Sequence, residues 1–60
     1  MGYISIGLWV TVTYGEDDNQ SFEGQIVDIV TIDDGSKLCF VRGDSGEVKI
    51  FAEDYAIFDS

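Results

Sequence analysis

The stretch that decides the fold is Ile4-Ser5-Ile6-Gly7-Leu8-Trp9-Val10-Thr11-Val12-Thr13-Tyr14. Apolar side chains recur in it at every second position, beginning with Ile4 and ending with Tyr14. Successive side chains of a β-strand point to opposite faces, so this alternation predicts a strand with one buried face. The β-branched valine, isoleucine and threonine residues favour the same structure. We therefore expect a first strand over residues 4–14.

The rest of the chain consists of short apolar runs separated by polar turns. In order, the sequence predicts a loop at 15–21, a strand at 22–32, a hairpin turn at 33–36, a strand at 37–42, a turn at 43–46, a strand at 47–51, a turn of 3₁₀ helix at 52–55 and a closing strand at 56–59. Short strands with turn signals between them are typical of sandwiches and barrels. We expect an all-β chain that forms one small barrel of about five antiparallel strands, with residues 1–60 in a single domain.

Composition limits both the core and the chemistry of the chain. Of its 60 residues, 45% are hydrophobic. They can build one small core, because a chain of this length buries only about 60% of its unfolded surface. Twelve acidic residues against three basic ones give a net charge of −9, and there is no histidine. These counts argue against a histidine-dependent catalytic triad, a histidine-containing zinc site and a basic nucleic-acid surface.

The cysteine content and the absence of long apolar runs indicate the cellular compartment in which the protein resides. Cys39 is the single cysteine and cannot close a disulfide within the chain, which favours a reducing, intracellular environment. No run approaches the roughly 18 apolar residues of a membrane span, and the N-terminus lacks the features of a secretory signal. The sequence therefore predicts a soluble, cytoplasmic protein. Cys39 lies between Leu38 and Phe40, so we expect it to be a small buried residue.

The second hairpin determines which side chains share a face. If residues 43–46 form a four-residue loop, Arg42 lies opposite Glu47 and Cys39 lies opposite Ile50. This register places in the core Val41, Val48, Cys39 and Ile50. It leaves a second apolar face that consists of Leu38, Phe40 and Phe51. Such a face must be covered by another protein or by the chain ends, at Tyr3, Ile4, Tyr55 and Phe58.

Four runs of the chain carry a resemblance to a known fold. They are Gly7-Leu8-Trp9-Val10-Thr11-Val12-Thr13-Tyr14, Phe22-Glu23-Gly24-Gln25-Ile26-Val27-Asp28-Ile29, Cys39-Phe40-Val41-Arg42-Gly43-Asp44-Ser45-Gly46-Glu47 and Glu53-Asp54-Tyr55. Their strand order and turn positions resemble those of an SH3-like small barrel, and most closely a Tudor-type domain. The resemblance implies a fold and not a function, because barrels of this shape host many unrelated functions.

Some Tudor-type domains bind methylated lysine or arginine in an aromatic cage, which holds the cation against several ring faces. The resemblance implies that Tyr14 and Phe22 match two walls of such a cage. The other two walls fall near Arg42 and Ser45, which cannot serve as aromatic walls, and Arg42 would repel the ligand cation. A reader of methylated lysine or arginine is therefore a lesser alternative. The structural alternative is that Tyr14 and Phe22 pack over the mouth of the barrel.

The acidic residues do not form a pattern that predicts catalysis or metal binding. A paired-carboxylate mechanism needs two acids in a sheltered cleft, whereas most acids here fall in predicted loops and turns. The run Glu16-Asp17-Asp18-Asn19 lacks the alternate spacing and the central glycine of a calcium loop. We expect no enzymatic activity, no cofactor and no metal site.

The negative charge is the feature of the sequence that points to a function. Twelve carboxylates on so small a surface speed encounter with basic partners and reject nucleic acid. We expect a small acidic protein-binding module or inhibitor that docks on a basic protein, which could itself be a nucleic-acid-binding protein. Aromatic anchors inside a rim of carboxylates would make this contact. The candidate partner-binding residues are Tyr14, Asp17, Asp18, Phe22, Phe40 and Asp44.

Several alternatives stand beside this hypothesis. A chain that begins with methionine and ends at residue 60 fits a separately encoded small protein. One version is a phage protein that mimics nucleic acid by presenting carboxylates in place of phosphates. The chain could instead be a structural subunit of a homo-oligomer that buries the second apolar face between copies. The acidic surface could also serve solubility alone.

Overall fold

Five antiparallel strands form a single sheet in the computed structural model, which describes residues 4–60. The strands are β1 (Trp9–Tyr14), β2 (Gln20–Thr31), β3 (Lys37–Gly43), β4 (Val48–Ala52) and β5 (Ile57–Asp59). Their order across the sheet is β4-β3-β2-β1-β5, so β4 and β5 are the edge strands. Residues 4–60 contain no helix. The predicted all-β class and the five antiparallel strands are confirmed, whereas the sheet is not closed and the predicted barrel is not confirmed.

β1 begins five residues later than the alternation predicts. Gly7 has a φ of +98°, a conformation that glycine adopts without steric cost. It lies in a tight turn, closed by a hydrogen bond of 3.2 Å from the Leu8 amide to the Ser5 carbonyl. The turn interrupts the extended chain and leaves Ile6 63% exposed. The period-two pattern did not reveal this break, because the apolar residues keep their spacing through it.

The core lies on one face of the sheet, where β1, β2, β3 and β4 meet. Its buried side chains are Val10, Val12, Ile26, Cys39, Val41 and Phe51. Fully burying an aliphatic or aromatic side chain of this size contributes about 1.5–3 kcal/mol. The rings of Tyr14, Phe22 and Phe58 surround Phe51, with centroid separations of 4.9, 6.0 and 6.4 Å. The predicted burial of Cys39 is confirmed.

A β-bulge in β2 changes which of its residues face the core. Ile26 pairs with Val41 of β3, but the next paired residue of β2 is Asp28, which lies opposite Phe40. Val27 is the extra residue between them. A bulge of this kind bends its strand and shifts the alternation of side chains by one position. Beyond the bulge, the even-numbered residues of β2 therefore lie on the face opposite the core.

The second hairpin differs from the predicted one by one residue in register. Its loop has three residues, because the Gly43 amide donates to the Glu47 carbonyl at 2.8 Å and the Gly46 amide donates to the Gly43 carbonyl at 3.0 Å. Gly46 has a φ of +88°, which the bulged end of a three-residue loop requires. Arg42 consequently lies opposite Val48 rather than Glu47.

This shift reverses the two faces of β4, because side chains alternate along a strand. The prediction that Val48 and Ile50 belong to the core is wrong: they are 48% and 56% exposed. Phe51, expected on the second apolar face, is instead buried and lies opposite Cys39.

The connection from β4 to β5 is a tight turn. The predicted turn of 3₁₀ helix over residues 52–55 is wrong, and a hydrogen bond of 3.0 Å from the Tyr55 amide to the Ala52 carbonyl closes a single turn there. The predicted closing strand is confirmed as β5, which pairs with β1. No helix within residues 4–60 has the length and hydrophobicity that a membrane crossing requires.

Candidate protein-binding surface

An apolar surface covers the side of the sheet that faces away from the core. Cross-strand pairing places Leu38 between Val30 of β2 and Ala52 of β4, and it places Phe40 opposite Ile50. Directly paired residues share a face, and Val48 lies on this face too, two residues before Ile50 and opposite Arg42. We call this surface the outer strip, and it consists of Val30, Leu38, Phe40, Val48, Ile50 and Ala52.

The outer strip is open to solvent. Val30, Val48 and Ile50 are 40%, 48% and 56% exposed, and Phe40 is half-buried. A contiguous apolar surface of this kind is characteristic of an interaction site, whereas single exposed apolar residues are common on any protein.

The chain ends do not cover the outer strip within residues 4–60. Ile4 and Phe58, two of the residues expected to cover it, pack against the core cluster instead. Tyr55, the third, is 86% exposed. Tyr3, the fourth, lies outside the described residues. The sequence leaves two explanations open, coverage by the chain's own ends and coverage by another protein. The described residues give no support to the first.

Charged side chains border the outer strip, and they are carboxylates except for Arg42, which lies opposite Val48. All twelve acidic side chains are exposed. Asp28 lies opposite Phe40 on the same face of the sheet. Glu47 and Glu53 directly precede and follow β4. A partner that covers the outer strip must therefore also meet negative charge.

Tyr14 and Phe22, two of the sequence-predicted site residues, lie on the core side of the sheet. Both rings are half-buried and pack against Phe51. The Nζ atom of Lys49 lies 5.5 Å from the centroid of the Phe22 ring, close enough for a cation–π interaction. It is also 3.9 Å from a carboxylate oxygen of Glu47. The chain's own ammonium group thus occupies one face of Phe22.

The three predicted aspartates lie in two connections at the same end of the sheet. Asp17 and Asp18 are in the loop between β1 and β2, and Asp44 is in the turn between β3 and β4. Both connections leave the same end of the sheet, because β1 and β3 run in the same direction. All three side chains are exposed. The structure therefore groups these aspartates near Tyr14 and Phe22, and separates them from Phe40 on the outer strip.

Sequence reasoning missed Val30, Val48 and Ile50. The signal that locates the last two is the run Asp44-Ser45-Gly46, in which the glycine fits the left-handed position of a three-residue loop. Val30 reaches the outer face because of the bulge at Val27, for which the sequence carries no clear signal.

Among residues 4–60, two titratable groups have perturbed pKa values, and neither belongs to the outer strip. Hydrogen bonds from the Ser36 hydroxyl, at 2.6 Å, and from the Ser36 amide, at 2.8 Å, lower the pKa of Asp34. Burial raises the pKa of Cys39, and the negative charge of Glu53 adds to the effect. Asp34 also lines a shallow depression with Thr31, Ile32 and Asp33. Among the described residues, no three acidic, cysteine or histidine side chains converge to hold a metal ion.

Comparison with protein families finds no family that matches the chain, and no curated protein or solved structure matches it either. The class of protein is therefore defined by the fold and the surface together. It is an acidic all-β chain with an exposed apolar strip on the outer face of an open, five-stranded sheet.

Proposed function

We propose that this chain is a small acidic protein-binding module that docks on a basic partner protein through the outer strip. The observation that carries the proposal is the coexistence, within residues 4–60, of an exposed apolar surface and neighbouring exposed carboxylates. Burial of the strip would supply the affinity, and the carboxylates would select a basic partner and speed its approach.

The size of a stable interface supports a basic partner. Such an interface buries about 800 Å² on each side, about a fifth of the chain's 4206 Å² of accessible surface. It also uses about 20–30 residues from each partner, many more than the outer strip contains. The contact must therefore extend onto neighbouring carboxylates such as Asp28, Glu47 and Glu53. A neutral or acidic partner would leave Asp28 and Glu53 desolvated without a counter-charge, at a large free-energy cost, whereas Glu47 already lies near the ammonium group of Lys49.

The positions of the three basic residues do not favour direct nucleic-acid binding. Lys37 begins β3, Arg42 lies near the end of the same strand, and Lys49 sits over the Phe22 ring. They do not form a continuous basic patch, while the chain as a whole carries a net charge of −9. Recognition of phosphate backbones depends on clustered lysine and arginine.

The contacts of Phe22 also weaken the lesser alternative, a reader of methylated lysine or arginine. An aromatic cage needs free ring faces to receive the cation. Lys49 already occupies one face of Phe22, and Tyr14 packs against Phe51. We further propose that the open sheet is a form of the SH3-like fold that the sequence resembles. Its five strands and the turn before the last strand support this assignment, which does not by itself determine the function.

The test is an affinity capture that compares substitutions of two isoleucines with similar exposure but different locations. Ile50→Ser removes an exposed side chain from the outer strip, and Ile6→Ser removes one of similar exposure, 63%, from the turn before β1. We expect immobilised wild type and Ile6→Ser to retain the same basic protein from a lysate of the source organism at low salt. Ile50→Ser should retain about tenfold less of it.

Salt provides the second readout of this experiment. The attraction between exposed charges extends over about 8 Å at physiological ionic strength and reaches farther in dilute buffer. Retention of the basic protein should therefore fall steeply as salt rises to the physiological range. Equal capture by all three chains, or retention of an acidic protein, would contradict the proposed function.

A further inference from the structure

Strand β4 leaves one side of its backbone without a partner. It is an edge strand and pairs only with β3 among residues 4–60. The Gly43 amide donates to Glu47, and the Glu53 amide donates to Lys37 at 2.9 Å. Hydrogen-bonded pairs alternate with non-bonded pairs in an antiparallel ladder. The backbone groups of Lys49 and Phe51 therefore point to β3.

The backbone amides of Val48, Ile50 and Ala52 consequently point away from β3. The Ala52 carbonyl is already used, because it accepts the hydrogen bond from Tyr55. The amides and carbonyls of Val48 and Ile50 have no such partner within residues 4–60. These two residues also contribute their side chains to the outer strip. The open edge and the exposed apolar surface thus meet at the same residues.

This edge has one of the features that discourage strand addition, the inward-pointing Lys49, and lacks the others. Natural edge strands are protected by proline, by charged side chains, including lysines that point inward, or by being very short. The chain contains no proline, and the charge of Lys49 points to the core side of the sheet, over the Phe22 ring. The opposite edge is different, because β5 has only three residues and ends with Asp59. The β4 edge is therefore the longer of the two, and its outward-facing backbone groups at Val48 and Ile50 carry no charged side chain.

Charge identifies the kind of segment that fits the open edge. Glu47 and Glu53 lie at its two ends, six positions or about 20 Å apart along an extended chain. A second copy paired antiparallel about Ile50 would bring Glu47 opposite the Glu53 of that copy. Like charges directly opposite each other destabilise a strand pair, and each copy carries a net charge of −9. The geometry favours a basic segment over self-pairing.

We propose that the partner contributes an extended basic segment, which adds to the sheet as a sixth strand along β4. This inference rests on the proposed function and specifies how the outer strip binds. The segment would place cations opposite Glu47 and Glu53, and small apolar side chains opposite Val48, Ile50 and Ala52. Main-chain hydrogen bonds would supply affinity, and the alternate side chains would supply specificity.

The test is a titration of the ¹⁵N-labelled full chain with a capped peptide, Lys-Val-Thr-Val-Thr-Val-Lys, followed by NMR. We expect the amide signals of Val48 and Ile50 to shift and their hydrogen exchange to slow by about tenfold at saturation. The control peptide carries glutamate in place of both lysines, and it should bind about tenfold more weakly or not at all. Failure of the lysine peptide to bind, or shifts confined to other residues, would overturn the inference.

A matched pair of variants separates backbone pairing from side-chain contact. Val48→Pro removes an outward amide that β3 does not use, and proline is tolerated at such edge positions. Val48→Ser loses the same apolar side chain but keeps the amide. We expect Val48→Pro to bind the peptide about tenfold more weakly than Val48→Ser, and equal binding would overturn strand addition. The exchange measurement on the unmodified chain keeps the test valid even where Val48→Pro fails to fold.

The results distinguish this inference from the proposed function. Basic protein captured equally by Val48→Pro and Val48→Ser, but not by Ile50→Ser, would leave docking on the outer strip intact and overturn strand addition. Capture unaffected by Ile50→Ser would overturn the proposed function itself. A dimer at tens of micromolar, with the Val48 and Ile50 amides protected in the absence of peptide, would replace the basic segment with a second copy.

Discussion

Truncation of two adjacent residues of β4 should destabilise the fold to very different extents, because the register of the second hairpin places them on opposite faces. Phe51 is 7% exposed and contacts the rings of Tyr14, Phe22 and Phe58. Ile50 is 56% exposed and belongs to the outer strip. We therefore expect Phe51→Ala to destabilise the fold far more than Ile50→Ala.

The magnitudes follow from burial. Truncation of a buried phenylalanine to alanine costs about 3–5 kcal/mol. Full burial of an isoleucine contributes about 1.5–3 kcal/mol, so a side chain that is less than half buried contributes about 1 kcal/mol. The expected difference between the two variants is about 2–4 kcal/mol. A chain of this length has a total stability of about 3–9 kcal/mol, so Phe51→Ala should be close to unfolded.

Urea unfolding followed by circular dichroism and by the fluorescence of Trp9 measures both free energies of unfolding. Phe51→Leu, which keeps most of the apolar volume, gives a measurable value if Phe51→Ala is unfolded without denaturant. If the loop had four residues, Ile50 would face the core and Phe51 would face solvent. A larger loss of stability for Ile50→Ala than for the Phe51 variants would refute the observed register.

Four further predictions concern the turn, the charge and the two perturbed groups. Gly46→Ala should cost about 1–2 kcal/mol in urea unfolding, because the left-handed conformation is strained for alanine, while Gly46→Asn should cost less; equal stability of all three chains would contradict the strained turn. Raising sodium chloride from about 0.01 M to 1 M should raise the thermal midpoint, since it shortens the screening length from about 30 Å to 3 Å and weakens repulsion among the carboxylates; a falling midpoint would argue against self-repulsion. The raised pKa of Cys39 predicts stability that is complete below the usual thiol pKa of about 8.5 and declines as the pH rises above it, so Cys39→Ala should lose less stability over that range than wild type. The lowered pKa of Asp34 predicts the reverse dependence, a contribution present above about pH 4 and lost at lower pH, which should be absent in Asp34→Ala when acid unfolding is compared.

The sequence was sufficient to predict the elements whose side chains alternate without interruption. Val10 and Val12 were expected to face inward and are buried. Leu38 and Phe40 were expected on a second apolar face and lie on the outer strip. These predictions hold because hydrophobic burial fixes the orientation of a strand once its period is known.

The orientation of β4 could not be predicted from the same pattern. The run Val48-Lys49-Ile50 favours burial of the two aliphatic residues and exposure of the lysine, which is the opposite of the observed arrangement. Lys49 can lie on the core side because its long side chain reaches the end of the core, where the ammonium group meets the Phe22 ring and Glu47. The loop geometry at Gly46, rather than hydrophobicity, determines the register.

Most of the candidate site could not be predicted from any one strand, because it depends on how neighbouring strands pair. Phe40 could be identified from its own strand, but its neighbours on the outer strip come from the bulge at Val27 and from the shifted hairpin. The exposed carboxylates could be predicted directly from composition. The open edge of β4 could not be predicted from the sequence, because an edge strand exists only if the sheet does not close into a barrel.

Amide hydrogen exchange along β4 in the isolated chain tests the central claim most directly. The account predicts alternation: slow exchange at Lys49 and Phe51, whose amides bond to β3, and fast exchange at Val48 and Ile50, whose amides face solvent. Uniformly slow exchange through all four residues would show that another strand already covers this edge, and it would contradict an open sheet with a free binding surface.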